Sequence, residues 1–585
     1  MGIRKTFFLV SALASMAMAA TIYEAELGTL GNASDPSQNP AITTDASASG
    51  GKYVKMNGGS ISVTVTAAET KNYAIKIHYK NNYGGSKENI LAVGSNTIGS
   101  IVFPETQAST FEDVESVARL NAGQNTVSIN NSWGWIDVDY IEVSDYVAEA
   151  FNISSTVVTA GATEEAQKLY TFLVNNFQKK TISGVMTGDV AIGTPLKSQA
   201  DVVAVHTAGG KYPVLVGFDF LFATGKAGDV NSWNQDYTNE TIKLAKELWD
   251  LGGIPAFTWH WKDPSNAVDA FYIEGAQGDG NEFTTFDYRT GFKAGTTEWD
   301  TNSDTYKQIV EDIDKISDLF LTLQEQKVAA IFRPLHECGG AWFWWSAVSK
   351  SDVHSGAEFV ALYRLVYDRM VKVNGVKNLV WNWNPQTAAL KDWNPGEEYF
   401  DILSVDIYNN ANDHASNAAA FNGLKSNISK NKILALSENG PIPDVENMHN
   451  DEAVWSWWMP WYESWSAGFV SKTAASVWQS NLNDDRILTL DKMPGWSGSI
   501  SISKTASINS LKWSVQGKSL LIQTSKNDNI KIEVYGMNGA HIKTLAKGTL
   551  SLGSHRFSLD DLSQGLYMLR VQGSQGQLTK TITIR

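Results

Sequence analysis

Between Glu164 and Trp496 the sequence alternates short apolar runs with longer helix-patterned segments, and this alternation restricts the possible folds more than any other feature. Helices such as Tyr306–Gln324 are predicted from apolar residues that recur at three- and four-residue spacing. Eight buried strands are predicted between the helices: Thr181–Asp189, Tyr212–Phe220, Ile254–Trp261, Val328–Glu337, Asn378–Asn384, Ile402–Tyr408, Ile433–Glu438 and Ala475–Gln479. Eight such strands with helical crossovers indicate an α/β fold of the (β/α)8 barrel type. A doubly wound sheet, the alternative, would need a glycine-rich phosphate-binding fingerprint after its first strand, and the sequence has none there.

The regions on both sides of this segment show the two-residue alternation of half-buried β-strands. Tyr73–Tyr79 and Ile530–Tyr535 are examples, and each region is broken by Gly, Asn and Ser, which predicts β-sandwiches. The resulting division of the chain is a signal peptide over 1–19, a jelly-roll β-sandwich over 20–146, a linker over 147–164, the barrel over 165–495, a linker over 496–508 and a small β-sandwich over 509–585. Because the first linker has few large apolar residues, we expect the N-terminal sandwich to fold without an extensive interface to the barrel.

The start of the chain has the three parts of a secretory signal peptide. Two basic residues precede a short apolar run, and Ala17-Met18-Ala19 provides the small residues of a cleavage site. The apolar run is too short to span a bilayer, so we expect an exported protein without a transmembrane segment. Cys338 is the single cysteine, which excludes an internal disulfide and predicts a small buried packing residue.

Charge separates the C-terminal region from the rest of the chain. The formal net charge of −15 argues against nucleic acid as a partner. Residues 497–585 nevertheless hold 11 Lys and Arg against 4 Asp and Glu. This asymmetry predicts a separate module with a partner of its own.

Two glutamates end apolar runs on opposite sides of the predicted barrel. Glu337 closes the fourth run and Glu438 the seventh, and barrel enzymes carry their reactive groups at the C-terminal ends of strands. Two carboxyl groups flanking a site are what glycosidic bond cleavage requires, one as the acid and the other as the nucleophile. Of the 21 Trp residues, 18 lie in this region, and their flat rings are expected to stack on sugars. The best placed are Trp261, Trp342, Trp344, Trp345 and Trp478.

Other chemistries fit the sequence less well. His336-Glu337 begins like a zinc-protease motif, but Gly340 stands where the second histidine ligand is needed. An esterase would lack its nucleophile, because the sequence has no Gly-x-Ser-x-Gly elbow. A catalytically inactive protein that keeps the barrel only to bind polysaccharide is the alternative from another class. The presence of both glutamates argues against it.

Four short motifs resemble those of glycoside hydrolase family 26, and they occur in the order of the predicted strands. They are Trp259-His260-Trp261, Arg333 to Glu337 followed by Trp342, Val405 to Tyr408, and Ser437 to Gly440. The resemblance implies a retaining (β/α)8 hydrolase, usually an endo-β-1,4-mannanase that needs no catalytic cofactor. The family also contains β-1,3-1,4-glucanases and β-1,3-xylanases, so mannan is the favoured substrate and not the only one.

The same resemblance implies roles for individual residues. Glu337 would be the acid/base and Glu438 the nucleophile, with Tyr408 hydrogen-bonded to the nucleophile. The other substrate contacts that it implies are His260, His336, the stacking platform Trp342 and, just after the eighth predicted strand, Arg486.

The N-terminal sandwich resembles carbohydrate-binding module family 35 over Tyr23 to Glu26 and Trp133 to Ile141. Glu24 and Glu26 are two apart on a predicted strand, which places both carboxylates on one face. Together with Asp139 from the closing strand they predict a structural calcium site, because calcium takes oxygen ligands. Exposed edge charges without a metal are the alternative.

The C-terminal region resembles the sorting domains of Gram-negative bacteria that use a type IX-like export route. The residues concerned are Tyr535 to Gly539, Leu562 to Tyr567 and Lys580 to Arg585. The resemblance implies an extracellular or cell-surface location. The expected partners are therefore a plant β-mannan and the export machinery, with a carbohydrate-binding or spacer role of the tail as the alternative.

Overall fold

The computed structural model describes residues 20–107, 110–147, 149–226, 232–276, 282–386, 391–496, 511–516, 518–524, 527–536, 541–563, 565–573 and 576–584. The chain divides into two compact units, and the second begins at Ser501. The predicted signal peptide, most of the predicted linker 496–508 and the motif residues Met537–Gly539 lie outside the described residues.

The N-terminal region is a sandwich of two antiparallel sheets, as predicted. Its strands are β1 (Thr21–Glu24), β2 (Thr29–Gly31), β3 (Ala41–Thr44), β4 (Lys52–Lys55), β5 (Ser60–Ala67), β6 (Lys71–Lys80), β7 (Lys87–Val93), β8 (Asn96–Phe103), β9 (Glu112–Leu120), β10 (Gly123–Trp133) and β11 (Asp137–Asp145). One sheet has the order β3-β4-β11-β6-β9, with β1 paired to β11, and the other has the order β2-β5-β10-β7-β8. Buried and more exposed residues alternate along β5, where Ile61, Val63 and Val65 face the core between the sheets.

The central region is a closed parallel barrel, which confirms the predicted fold. Its strands, with the hairpin β16–β17 and the short β22, are β12 (Thr181–Met186), β13 (Leu215–Asp219), β14 (Ile254–Thr258), β15 (Ala330–Arg333), β16 (Ala347–Ser349), β17 (Asp352–Val353), β18 (Leu379–Trp383), β19 (Ile402–Ile407), β20 (Ile433–Asn439), β21 (Trp457–Pro460) and β22 (Ile487–Leu488). The parallel order runs β13-β14-β15-β18-β19-β20-β21-β12, and pairing of β12 with β13 closes the barrel.

Helices surround these strands. They are α1 (Glu164–Asn176), α2 (Ala200–Gly209), α3 (Ser232–Asp250), α4 (Asp304–Glu325), α5 (Gly356–Asp368), α6 (Ala418–Asn427), α7 (Val445–Asn450) and α8 (Ala475–Asn483). In α4 the buried residues Ile309, Ile313, Ile316 and Phe320 recur at helical spacing and face the barrel core, as the sequence pattern predicts. Within the described part of the chain, no helix combines the length and the apolar character that crossing a membrane requires.

The eighth barrel strand is β21, so the prediction of a strand over Ala475–Gln479 is wrong. That segment belongs to α8, where Trp478 and Leu482 are buried at a spacing of one helical turn. All four residues of β21 are buried. A fully buried strand of this length has no alternation of apolar and polar residues, which is the signal that identifies a strand in sequence.

Helix α6 of the barrel packs against the N-terminal sandwich. The prediction that the sandwich has no extensive interface to the barrel is therefore wrong. Strands β8 and β9 each form one edge of their sheet, and both lie against α6. Gly99 on β8 packs against the start of this helix, while Phe151 from the predicted linker stacks edge-on against Phe421 of the helix at 6.0 Å. Covering strand edges in this way protects them from pairing with other chains.

The second unit is a small β-sandwich, again as predicted. Its strands are β23 (Leu511–Gln516), β24 (Ser519–Thr524), β25 (Asp528–Gly536), β26 (His541–Leu550), β27 (Gly553–Ser558), β28 (Gly565–Gly573) and β29 (Gly576–Ile584). The sheets β23-β24-β27 and β26-β25-β28-β29 are antiparallel. Ile522 from the first sheet and Ile532 and Leu569 from the second belong to one buried apolar cluster.

Candidate active site

Three buried carboxylates meet at the C-terminal mouth of the barrel. Asp406 lies on β19 and Glu438 on β20, while Glu337 follows β15. One oxygen from each lies within 4.8 Å of the others, and the three residues are 8% exposed or less. Retaining glycosidases hold their two carboxyl groups about 5–5.5 Å apart, whereas inverting enzymes leave about 6.5–9.5 Å for a water molecule. The spacing of Glu337 and Glu438 therefore fits a retaining pair.

The turn after β15 brings Glu337 into this position. Leu335 and Glu337 have φ values of 51° and 53°, a left-handed region that side chains other than glycine rarely adopt. The backbone N–H of Glu337 donates to Oδ1 of Asn384 at 3.3 Å, and the indole of Trp342 donates to Oε2 of Glu337 at 2.9 Å. Asn384 thus holds the unusual backbone, and Trp342 holds the carboxylate, of a residue that would act in the reaction.

Glu438 is held through both of its carboxylate oxygens. The guanidinium of Arg333 contacts Oε1, and the hydroxyl of Tyr408 donates to Oε2 at 2.5 Å. Tyr408 as a whole residue is 44% exposed, so it lies where the site opens to solvent. These contacts fix the carboxylate in one orientation and favour its ionised form.

Asp406 is the third member of this group. It accepts hydrogen bonds from Asn384 and Ser437 through Oδ1, each at 2.8 Å, and it pairs with Arg333 through Oδ2 at 2.6 Å. Arg333 therefore supplies the positive charge between Asp406 and Glu438. Both Arg333 and Asp406 belong to motifs noted in the sequence. From the sequence, however, neither of them was assigned a role in the site.

The two glutamates have different electrostatic surroundings. Burial raises the pKa of Glu337 well above its usual range, with Asp406 and Glu438 adding to the effect and Arg333 opposing it. Burial, with Asp406, also raises the pKa of Glu438 to about 7, against the opposing effects of Arg333, Tyr408 and His260. Because Arg333 and Tyr408 bond directly to Glu438, this residue is the better placed to carry the negative charge while Glu337 keeps a proton.

The two predicted histidines lie beside the carboxylates. Nδ1 of His260 pairs with the carboxylate of Asp219 at 2.5 Å. Burial lowers the pKa of His260, but the Asp219 carboxylate outweighs burial and raises this pKa above its usual value. Burial, Arg333 and His260 lower the pKa of His336 well below its usual range. Their rings are 4.6 Å apart and nearly perpendicular. The site thus offers one imidazole that favours the charged form and one that stays neutral, both suited to hydrogen-bonding sugar hydroxyls.

Two tryptophans predicted to stack on sugar are buried away from the mouth. Trp261 is 0% exposed and donates its indole N–H to Asp312 of α4 at 2.8 Å. Trp478 is 1% exposed and donates to the carbonyl of Val470 at 3.1 Å. The prediction that these two rings stack on sugar is wrong, because both fill the layer between the strands and the helices. Trp344 and Trp345, which were also expected to stack on sugar, are buried as well.

Arg486 lies at the opposite end of the barrel. Its carbonyl accepts a hydrogen bond from the N–H of Thr181, the first residue of β12, and its guanidinium pairs with Asp484 and Glu446. The prediction of a substrate contact is therefore wrong. The error follows from placing the eighth strand at Ala475–Gln479.

The residues that do follow the eighth strand were missed for the same reason. Trp461 and Tyr462 come directly after β21 and are only partly buried. The ring of Trp461 lies 6.0 Å from that of His260, at the edge of the catalytic site. The available signal was the aromatic run that ends at Pro460, because proline cannot donate the hydrogen bond that would extend a central strand.

The predicted calcium ligands lie together in the N-terminal sandwich, but not as predicted. Glu24 ends β1, whereas Glu26 lies in the 3-10 turn Ala25–Leu27, so the two do not share a strand face. Ser49 joins Glu24 to Asp139, donating its hydroxyl to the first at 2.6 Å and its backbone N–H to the second at 3.0 Å. One oxygen each of Glu24, Glu26 and Asp139 is buried without a hydrogen-bond partner.

Comparison with known families assigns each region of the chain. Residues 158–486, more than half of the chain, match the model of glycosyl hydrolase family 26. Residues 21–146 match carbohydrate binding module family 35, and residues 517–585 match a secretion system C-terminal sorting domain.

Individual relatives agree with this assignment. Mannan endo-1,4-beta-mannosidase A of Piromyces sp is 32% identical over 75% of this chain and 68% of its own length. The solved beta-mannanase from a symbiotic protist of the termite Reticulitermes speratus is 35% identical, with 60% of this chain and all of that chain covered and a TM-score of 0.52. The Podospora anserina GH26-CBM35 beta-(1,4)-mannanase is 26% identical, with 82% of this chain and 99% of that chain covered and a TM-score of 0.52. The family match over the barrel and the closely spaced carboxylates lead to one conclusion: the chain belongs to glycosyl hydrolase family 26, a family of retaining glycosidases.

Proposed function

We propose that this protein is an exported endo-β-1,4-mannanase that hydrolyses internal bonds of mannan, glucomannan or galactomannan with retention of configuration. The observation that carries the mechanism is the close approach of Glu337 and Glu438, with oxygens within 4.8 Å. The choice of mannan rests on the relatives, because the curated proteins and solved structures compared above are named as mannanases.

In the first step Glu438 attacks the anomeric carbon while Glu337 donates its proton to the glycosidic oxygen. The carbon–oxygen bond to the leaving sugar breaks, and an ester links the remaining sugar to Glu438. In the second step the ionised Glu337 takes a proton from water, which attacks the same carbon and releases Glu438. The proton that Glu337 loses in the first step is thus recovered in the second.

Reducing-end release from a panel of polysaccharides tests this function. We expect release from mannan and glucomannan, and none from any substrate with Glu438→Gln prepared in the same way. Release only from mixed-linkage β-1,3-1,4-glucan or β-1,3-xylan would show that mannan is the wrong substrate, while the proposed mechanism would still stand. Release from nothing would favour a non-catalytic polysaccharide-binding protein.

We also propose that Glu24, Glu26 and Asp139 hold a structural calcium ion. In support, each has a buried oxygen without a hydrogen-bond partner, and unpaired buried carboxylate oxygens are costly unless a cation satisfies them. Among the described residues, only the catalytic trio has carboxylate oxygens that all lie within 4.8 Å of one another. The three carboxylates of the sandwich do not meet this condition, so their side chains would have to draw closer together to bind one ion.

Thermal unfolding of the intact protein tests the calcium proposal. A chelator should lower the melting temperature, because a ligand that binds only the folded state stabilises it. Adding calcium back should restore it, whereas Glu24→Gln should show no response to either addition. An unchanged melting temperature with chelator would contradict the proposal.

The flanking modules complete the proposed function. We propose that the N-terminal module holds the enzyme on insoluble mannan and that the C-terminal module directs the protein to the surface of a Gram-negative bacterium through a type IX route. The family matches support both roles. Export that persists after removal of residues 509–585 would contradict the second.

A further inference from the structure

We propose that Trp465 is an outer sugar-binding platform on the glycone side of the cleft, reached only by chains that place at least three sugar residues on that side. This inference rests on the proposed function and extends it to the length of substrate that the enzyme recognises.

A row of aromatic rings leads from the catalytic centre to Trp465. Ring centroids are separated by 6.0 Å between His260 and Trp461, by 5.1 Å between Trp461 and Tyr462, and by 5.6 Å between Tyr462 and Trp465. The planes of Trp461 and Tyr462 are inclined by 38° and those of Tyr462 and Trp465 by 81°, so these rings pack against one another and Trp465 is the exposed end of the row. Two rings separate Trp465 from His260, so it lies beyond the sugars next to the cleaved bond.

The position of this row in the barrel identifies the side of the cleft. Trp461 follows β21, the eighth strand, and Glu337 follows β15, the fourth, so the two lie on opposite sides of the closed barrel. Glu337 protonates the departing sugar, which places the aglycone on its own side. The chain beyond the cleaved bond in the other direction, the glycone, therefore extends toward Trp461 and Trp465.

The exposure and backbone of Trp465 are unusual for a residue with only a packing role. Half of its surface, 50%, is exposed, and its φ of 52° is followed by a φ of 62° at Ser466. Bulky residues rarely adopt this backbone, and large aromatic side chains are usually buried. Strain that places an exposed aromatic beside an active site points to a function for that side chain.

A fully buried carboxylate holds the loop in place. Oδ1 of Asp201 accepts the backbone N–H groups of Glu463 and Ser464, each at 2.8 Å. Its Oδ2 accepts the N–H of Gly188 and the hydroxyl of Ser464, each at 2.9 Å. Tyr462 packs directly on Gly188, where an added Cβ would lie 2.6 Å from the ring. The platform is thus ordered before substrate arrives, which reduces the entropy lost on binding.

Cleavage of β-1,4-manno-oligosaccharides of increasing length tests the proposal, with wild type, Trp465→Ala and Trp465→Phe compared. We expect Trp465→Ala to lower kcat/KM on the hexasaccharide by about tenfold, the size of effect that an aromatic stacking contact gives. On the shortest oligosaccharide that wild type cleaves, kcat/KM should change by less than about twofold. Trp465→Phe keeps a ring and should lose less on the hexasaccharide.

The products identify the site directly. On a pentasaccharide labelled at its reducing end, Trp465→Ala should release less of the labelled disaccharide, which wild type forms by holding three residues on the glycone side. Unchanged products and kcat/KM, or an equal loss at every length, would overturn the proposal. The wild-type protein tests the proposed function separately. If it cleaves β-glucan oligosaccharides and not manno-oligosaccharides, the proposed substrate is wrong, and the same comparison of lengths on β-glucan oligosaccharides still tests Trp465. Matching melting temperatures exclude a folding defect, and Trp465→Phe carries the comparison if the alanine variant does not fold.

Discussion

Tyr408 donates a hydrogen bond of 2.5 Å from its hydroxyl to Oε2 of Glu438, and so holds one oxygen of the carboxylate that we propose as the nucleophile. Arg333 contacts the other oxygen, which leaves the carboxylate little rotational freedom. The same two contacts favour the ionised form, and they oppose the burial that raises the pKa of Glu438 to about 7. Orientation and charge of the nucleophile are therefore set by the same two neighbours.

Replacing Tyr408 with Phe should move the acidic limb of the kcat/KM profile to higher pH. The variant loses a bond that favours the ionised carboxylate, so the pKa of Glu438 rises and less of the enzyme is active at a given acidic pH. A hydrogen bond to a charged group contributes about 1.5–3 kcal/mol, which corresponds to roughly one to two pH units. Tyr212→Phe is the control. Tyr212 precedes β13, at the end of the barrel away from the site, so this variant should leave the pH profile of kcat/KM unchanged. An acidic limb at the same pH in Tyr408→Phe would show that the bond has no such effect.

Alanine at the two proposed catalytic positions, Glu337 and Glu438, should have different consequences. Glu438→Ala should abolish turnover of every substrate, because no other group forms the glycosyl ester. Glu337→Ala should lower activity on mannan by about 10²–10⁴-fold but far less on an aryl mannoside, whose leaving group needs little protonation. Steady-state kinetics on both substrates measures the difference. Equal losses on the two substrates with Glu337→Ala would count against its role as the acid.

Arg333→Met should reduce stability in a pH-dependent way. The substitution leaves Asp406 and Glu438 buried without their shared cation, a change that costs about 3–5 kcal/mol in the free energy of unfolding. Loss of Arg333 raises the pKa of Glu438 further above its unfolded value, so stability is retained at low pH and lost as pH rises. Urea unfolding at pH 5 and pH 8 should show the larger deficit at pH 8. Arg333→Lys, which keeps the charge, should show a smaller deficit, and a deficit independent of pH would contradict this reasoning.

Gly99→Val should destabilise the protein at the contact between the sandwich and the barrel. An added Cβ would lie 3.3 Å from Cα of Asn417 and 3.5 Å from Cβ of Ala419, at a φ of 136°. Crowding of this kind costs about 1–3 kcal/mol. Gly94→Val is the matched control, because Gly94 also has a positive φ, 60°, but has nothing within 4 Å. Thermal unfolding compares the two, and an equal loss in both would show that the interface contributes nothing.

The sequence predicted the barrel and the position of two glutamates at its mouth because both signals are local. A buried apolar run that ends in Glu places a carboxylate at the mouth of a barrel, and Glu337 and Glu438 lie there. Trp478 and Arg486 were misplaced because β21, buried on every residue, gives no alternation to recognise. Trp261 shows a different limit, since a tryptophan in a barrel can face the helix layer as readily as the mouth.

The contact between the sandwich and helix α6 could not be recognised from sequence for another reason. Small residues such as Gly99 and Ala419 take part in it, and small residues carry no pattern that distinguishes an interface from an exposed surface. The arrangement becomes visible only when both edge strands, β8 and β9, are placed against the helix.

Time-resolved NMR of the first products from a manno-oligosaccharide tests the central claim most directly, because it reports the configuration of the newly formed reducing end. Double displacement by Glu438 and Glu337 predicts that the β-anomer appears first and that the α-anomer accumulates later by mutarotation. First appearance of the α-anomer would show single displacement by water and would contradict the retaining pair.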